Sequence, residues 1–231
     1  MSRRYDCADP EQRRDGLADA ASTVRRGELV VLPTDTVYGI GCDAFNPTAV
    51  HALLTAKGRG RDMPPPVLVG SVRAAAALIE DLGPYGQDLV DEFWPGPLTL
   101  VCRANRSLAW DLGDTKGTVA LRMPLQEIAL ELLKETGPMA VSSANVSGVA
   151  AAVNVSEADG QLGEKVAVYL DGGPCSDDVP STILDLTYPV PRVLRAGALS
   201  EDRLREVCGS LIGLDDETDG ERRAEESPAD S

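Results

Sequence analysis

A chain of 231 residues with 43% hydrophobic side chains is long enough to close one sizeable core, and with aromatics at only 4% the packing falls to Val, Leu, Ile and Ala. Its formal net charge of −15 is the opposite of the basic footprint with which a domain grips RNA by itself. Five scattered cysteines (7, 42, 102, 175 and 208) with no CxxC pair argue against a disulfide framework or a zinc site, and the lone His51 rules out a multi-histidine metal centre.

In chain order, the N-terminus Met-Ser-Arg-Arg-Tyr-Asp runs into charge, not into an apolar leader, so the expected location is the cytoplasm. Asp9 as cap, Pro10 at the first helical position and Gln12 closing a capping box predict a helix that Gly27 ends. Glu28–Pro33 reads as a buried strand, 34–41 as a polar loop and 47–56 as a helix carrying His51, here a partly exposed helix residue. After a Gly/Pro-rich loop at 58–66 come the strand 67–69 and an alanine-rich helix capped by Ser71. The longest apolar stretch, 67–79, is broken by Arg73, so no segment spans a bilayer and no membrane association is expected. A further helix ends near Phe93, and Trp94-Pro95-Gly96-Pro97 makes a turn.

Strands are predicted at 98–102 and 118–123, then a helix opened by Pro124 and closed by Gly137. Strands recur at 139–142, 166–170, 182–186 and 192–195, and Ser200 caps a last helix. Residues 212–231 hold eight acids and two bases, which leaves −9 for the remaining chain. The expected organisation is a lead-in at 1–12, one domain at 13–210 and an acidic, disordered tail at 211–231. Interleaved helices and strands predict a single-domain α/β fold with a twisted mixed sheet and surrounding helices.

Several segments carry polar chemistry at strand ends, where open α/β sheets bind ligands. No GxxxxGK[ST], no GxGxxG after a strand and no GxSxG is present. Pro33-Thr34-Asp35-Thr36-Val37-Tyr38-Gly39 follows a buried strand; its hydroxyls and carboxylate suit either a ligand or plain turn chemistry. Lys57-Gly58-Arg59, with Arg61 behind, could clamp a triphosphate or merely complement a helix C-terminus. Thr118, Ala120 and Arg122 share one strand face; an arginine there needs an anionic partner, either a substrate carboxylate or a structural carboxylate. Ser143 and Asn145 lie two apart after an apolar run, and Ser181-Thr182-Ile183-Leu184-Asp185 and Arg195-Ala196-Gly197 repeat the pattern.

These six ordered elements, from Pro33–Gly39 to Arg195–Gly197, resemble the YrdC family of threonylcarbamoyl-AMP synthases, in its short form, over roughly residues 13 to 205. The resemblance implies the sheet shared with dihydroxybutanone-phosphate synthase and an ATP-dependent joining of L-threonine and bicarbonate with release of pyrophosphate. It implies threonine contacts from Thr36, Arg122, Ser143 and Ser181. ATP contacts would come from Arg59, Thr118, Asn145 and Arg195. Lys57 would lie near the phosphates, so that Lys57 and Arg59 are the catalytic pair, with Thr34, Asp35 and Tyr38 supporting their loop. Mg²⁺ would arrive with ATP, and a tRNA threonylcarbamoyl transferase complex would take the product for position 37 of tRNA, leaving direct tRNA contact weak. Gly70 stands where family members often carry a histidine that touches threonine. The competing readings are a carbamoyl-adenylate maker and a nucleotide- or RNA-binding module of the same fold without synthase activity.

Overall fold

The computed structural model describes residues 1–175 and 178–216. Helix α1 (Pro10–Arg25) starts as its sequence dictates: the Asp9 carboxylate accepts from the backbone N–H of Glu11 and Gln12, and Pro10 fills a position that needs no donor. The capping box is not closed, because the Gln12 side chain accepts from the N–H of Asp6 instead. That bond ties the helix to β1 (Arg3–Asp6), an edge strand within the predicted lead-in. Helix α2 (Pro47–Lys57) is capped by Asn46 and stopped by Gly58 at φ 67°. Helix α5 (Glu127–Thr136) begins later than Pro124 suggests, since Gln126 supplies the capping oxygen.

Among the described residues ten strands form one mixed sheet. Besides β1 they are β2 (Val30–Leu32), β3 (Gly39–Asp43), β4 (Val67–Leu68), β5 (Leu98–Arg103) and β6 (Thr118–Arg122), then β7 (Met139–Ser143), β8 (Val168–Asp171), β9 (Thr182–Asp185) and β10 (Arg192–Arg195). Their order across the sheet is β1-β8-β2-β3-β7-β4-β6-β5-β9-β10. The expected α/β class and mixed sheet hold. β3 and helix α6 (Val155–Leu162) are elements the sequence reading did not separate from loops.

The two sheet faces are covered unequally. On one face lie α2, α3 (Val72–Ala76), α4 (Gly83–Phe93), α6 and α7 (Glu201–Cys208). Their residues cluster with Leu98, Leu100, Val119 and Leu121 of β5 and β6. Fully buried leucines of this kind each stabilise by about 1.5–3 kcal/mol. On the other face α1 and α5 cluster with β2, β7 and β8 through Val30, Leu32, Met139 and Leu170. They stop short of the outer faces of β5, β6 and β9. Strand alternation therefore leaves Thr99, Val101, Ala120, Arg122 and Ile183 facing open space.

At the C-terminus, Ile212 bridges to Arg192 beside β10, and Leu214 N–H donates to Glu201. Residues 211–216, placed in the tail by sequence, thus rest on the domain; 217–231 lie outside the described residues. Among the described residues no helix is long and apolar enough to cross a membrane.

Candidate functional site

That uncovered half-face is the floor of a cleft of about 490 Å³. A larger groove, about 730 Å³, runs between α1 and α5. Its charges satisfy one another, however: Arg13 reaches Glu127 at 3.0 Å and Glu131 at 2.8 Å. The cleft over the sheet is the place where polar groups converge without neutralising each other.

Thr34, Thr36 and Tyr38 line the cleft from the loop between β2 and β3. The Tyr38 hydroxyl donates to Gly173 O (2.6 Å) and accepts from Gly172 N–H (3.0 Å), which fixes the loop across the molecule. Thr34 donates to Val37 O at 2.6 Å and accepts from the Thr36 N–H, closing a tight turn. Asp35 does not line the cleft. It stands behind Arg122, with Asp35 Oδ1 2.5 Å from Arg122 Nη2.

Arg122 is 6% exposed and its guanidinium also donates to Thr36 Oγ1 (3.0 Å) and to Gly96 O (3.0 Å) in the Trp94–Pro97 turn. The structural reading of this arginine holds, since Asp35 pairs with it, and the residue also lines the cleft. Thr118 sits four residues away at the far end of β6, donating to Thr115 O, and does not line the cleft.

Lys57 requires a correction. Its ammonium is fully buried and does not line the cleft. It donates to Ser143 O, to Asn145 O (2.7 Å) and to Asn145 Oδ1 (3.3 Å). An ammonium has three protons, and these acceptors take them, so none is left for a phosphate. Burial, and then the Arg59 charge, pull its pKa down to about 7. Lys57 thus pins the turn after β7 that presents Ser143 and Asn145, both in the cleft wall. The Asn145 amide is itself committed, donating to Val146 O and Val149 O.

Arg59 does line the cleft, donating to Ser147 Oγ (3.0 Å) and Ser142 Oγ (3.2 Å). Arg61 does not; it pairs with Asp111 at 2.8 Å. Across the cleft, Arg195 donates from Nε and Nη2 to Ser181 O and from Nη2 to Ser181 Oγ (3.0 Å). Gly197 makes this possible, since any Cβ there would collide with the backbone of Pro180–Thr182. Thr99, a lone hydroxyl in an apolar strand, was missed by sequence reasoning. Its only signal was its place on the same alternate face as Val101.

Three guanidinium groups, Arg59, Arg122 and Arg195, thus border one cleft whose described lining contains no carboxylate. Burial, and then the charges of Arg122 and Arg59, hold the Arg195 pKa below its ordinary value. Among the described residues no three His, Cys, Asp or Glu side chains group to hold a metal ion. Gly70 is not in the lining; a Cβ there would stand 3.2 Å from Leu133 Cβ and 3.3 Å from the backbone of α5, so a histidine could not be seated without moving that helix.

Comparison with known proteins adds four findings. The family comprising Sua5, YciO and YrdC, described under telomere recombination, matches residues 22–197. A Mycobacterium leprae protein provisionally named threonylcarbamoyl-AMP synthase is 58% identical over 209 residues, 90% of this chain and 95% of its own length. The Bacillus subtilis threonylcarbamoyl-AMP synthase is 34% identical over 88% of this chain and 60% of its own. Pyrococcus abyssi Sua5 complexed with L-threonine superposes with a TM-score of 0.84 at 32% identity, over 92% of this chain and 62% of that one. The chain thus spans about three fifths of the Bacillus and Pyrococcus proteins.

Proposed function

The chain belongs to the Sua5/YciO/YrdC family, and on that premise we propose that it is a nucleotidyltransferase making threonylcarbamoyl-AMP from L-threonine, bicarbonate and ATP. The observation that carries this reading is the convergence of Arg59, Arg122 and Arg195 on a cleft without lining carboxylates, in a chain of net charge −15. Asp35 offsets Arg122 from behind the cleft, while Arg59 and Arg195 face it with no carboxylate partner among the described residues, so an anionic ligand is what would compensate them.

The reaction runs in two steps. The neutral threonine amine takes up bicarbonate to give a carbamate and water. A carbamate oxygen then attacks the α-phosphorus of ATP, the bond to the bridging oxygen breaks, and pyrophosphate leaves with the electron pair. Arg122 receives the threonine carboxylate on the two Nη protons that Gly96, Thr36 and Asp35 leave unused, with Thr36, Ser143 and Ser181 around it. Arg59 Nη2 and Arg195 Nη1 have no partner among the described residues and take the phosphates, where charge builds during transfer. Asn145, its amide protons already given to Val146 O and Val149 O, shapes the wall of the cleft against the nucleotide. Lys57 acts one layer back by holding the Ser143–Asn145 turn. Mg²⁺ comes with the triphosphate. Positioning and electrostatics are most of what phosphoryl transfer asks of a protein. The product then passes to a tRNA threonylcarbamoyl transferase complex for modification at position 37, and the work is cytoplasmic.

The test is product formation. Purified protein with ATP, Mg²⁺, bicarbonate and L-threonine yields threonylcarbamoyl-AMP, read by mass spectrometry. Nucleotide binding with no product under any of these conditions would leave a binding module of the same fold.

A further inference from the structure

Beside the spare guanidinium protons of the cleft, its floor holds a pair of neutral hydroxyls with a donor the protein does not use. In the loop after β2 every hydroxyl proton is placed: Thr34 gives its proton to Val37 O, so the 3.1 Å contact between Thr34 and Thr36 is donated by Thr36. The pair formed by Thr99 and Ser181 differs. Their hydroxyls stand 2.8 Å apart, and Ser181 Oγ also receives a proton from Arg195 Nη2. A guanidinium can only donate. Two hydroxyl protons therefore share a single bond between them, and whichever residue donates it, one proton remains. No acceptor for it exists among the described residues. Thr99 is 1% exposed and Ser181 5%, and both line the cleft. A buried donor without an acceptor is costly, so its partner is a ligand oxygen.

Position and charge narrow that ligand. The pairing of Leu100 with Leu121 puts Thr99 beside Arg122 on the next strand, and Arg195 polarises the pair from the other side. Arg195 has its Nη1 open as well. An acceptor here sits in a positive field, which favours an anionic oxygen. Resting on the proposed reaction, Arg122 takes the amino-acid carboxylate and Arg59 with Arg195 the triphosphate, while bicarbonate has no residue of its own. Ser181 on the amino-acid side and Arg195 on the nucleotide side bond each other directly, so the boundary between the two ligands runs through this pair. We infer that Thr99 and Ser181, backed by Arg195, form the subsite for bicarbonate and for the carbamate made from it.

The test uses ¹³C-bicarbonate with the full chain in the presence of L-threonine and absence of ATP, reading line broadening to obtain affinity. Thermal melting serves as a check that each variant is folded. Thr99→Val together with Ser181→Ala deletes both hydroxyls, so neither proton is left for the ligand; a lost bond to a charged group weakens bicarbonate by roughly tenfold to a hundredfold. Either single variant keeps one hydroxyl proton and loses less, and Thr99→Val leaves threonine affinity within about threefold of wild type. Threonine is kept saturating for every variant, because Ser181 also contacts it. Where that double variant does not fold, Thr99→Ala with Ser181→Ala replaces it. Unchanged bicarbonate affinity in the folded double variant overturns the subsite, as does wild-type protein that binds none. Bicarbonate binding that depends on Thr99 in a protein making no threonylcarbamoyl-AMP keeps the subsite and removes the proposed reaction.

Discussion

Two buried cations set the terms at the residue scale. Arg122 and Asp35 have side chains 7% and 12% exposed, so each neutralises the other in a dry setting. Arg122→Ala leaves a buried carboxylate unpaired and is expected to cost about 3–5 kcal/mol in urea unfolding. Adding Asp35→Asn to that variant recovers part of the loss; no recovery would mean that the ion pair is not the source. Lys57 gives a pH signature. Its unfolded value is about 10.4 and its folded value is pulled to about 7. Below pH 7 both states hold the proton and the burial penalty is fully felt. From pH 7 toward 10 the unfolded chain binds more protons than the native one, so this group's contribution rises with pH. Wild-type melting temperature should climb relative to Lys57→Met between pH 7 and 9. A flat difference would refute the lowered value.

Among elements, the site exists because two strands are bare on one face. β5 and β6 bury Leu98, Leu100, Val119 and Leu121 beneath helices and leave Thr99, Val101, Ala120 and Arg122 over the cleft. The loop from β10 closes the cleft side, and its fit depends on Gly197 lying against the Pro180–Thr182 backbone. Gly197→Ala should destabilise by roughly 1–3 kcal/mol, typical of overpacking, and weaken ATP by displacing Arg195. Thermal melts and ATP titration read both; a variant with normal ATP affinity would show that Arg195 is not placed by this contact.

Much of this organisation was legible locally. Asp9–Pro10 and Ser200 announced their helices, and the polar residues after β2 and β7 announced the strand ends that carry the site. What was hidden depends on distant partners. Arg122 reads as an inward cation, but its carboxylate lies 87 residues away. Lys57 reads as a phosphate ligand because nothing near it in sequence shows that Ser143 and Asn145, 86 and 88 residues on, take its protons. Helix α6 escaped because its first turn follows an Ala/Val/Ser run that resembles a loop, and its cap at Asn154 is plain only once Glu157 N–H is seen to donate to it.

For the whole molecule, charge separates the two kinds of phosphate the protein meets. The cleft cations suit one nucleotide, while the chain as a whole, at −15, repels a polyanion. Transfer RNA should bind no tighter than about 10⁻⁴ to 10⁻⁶ M at physiological salt; salt-resistant nanomolar retention in filter binding would contradict that. The most direct test of the central claim is pyrophosphate release from ATP with each substrate omitted in turn. The account predicts release that needs L-threonine and bicarbonate together and falls to background when either is left out. Release at the same rate without threonine would contradict it.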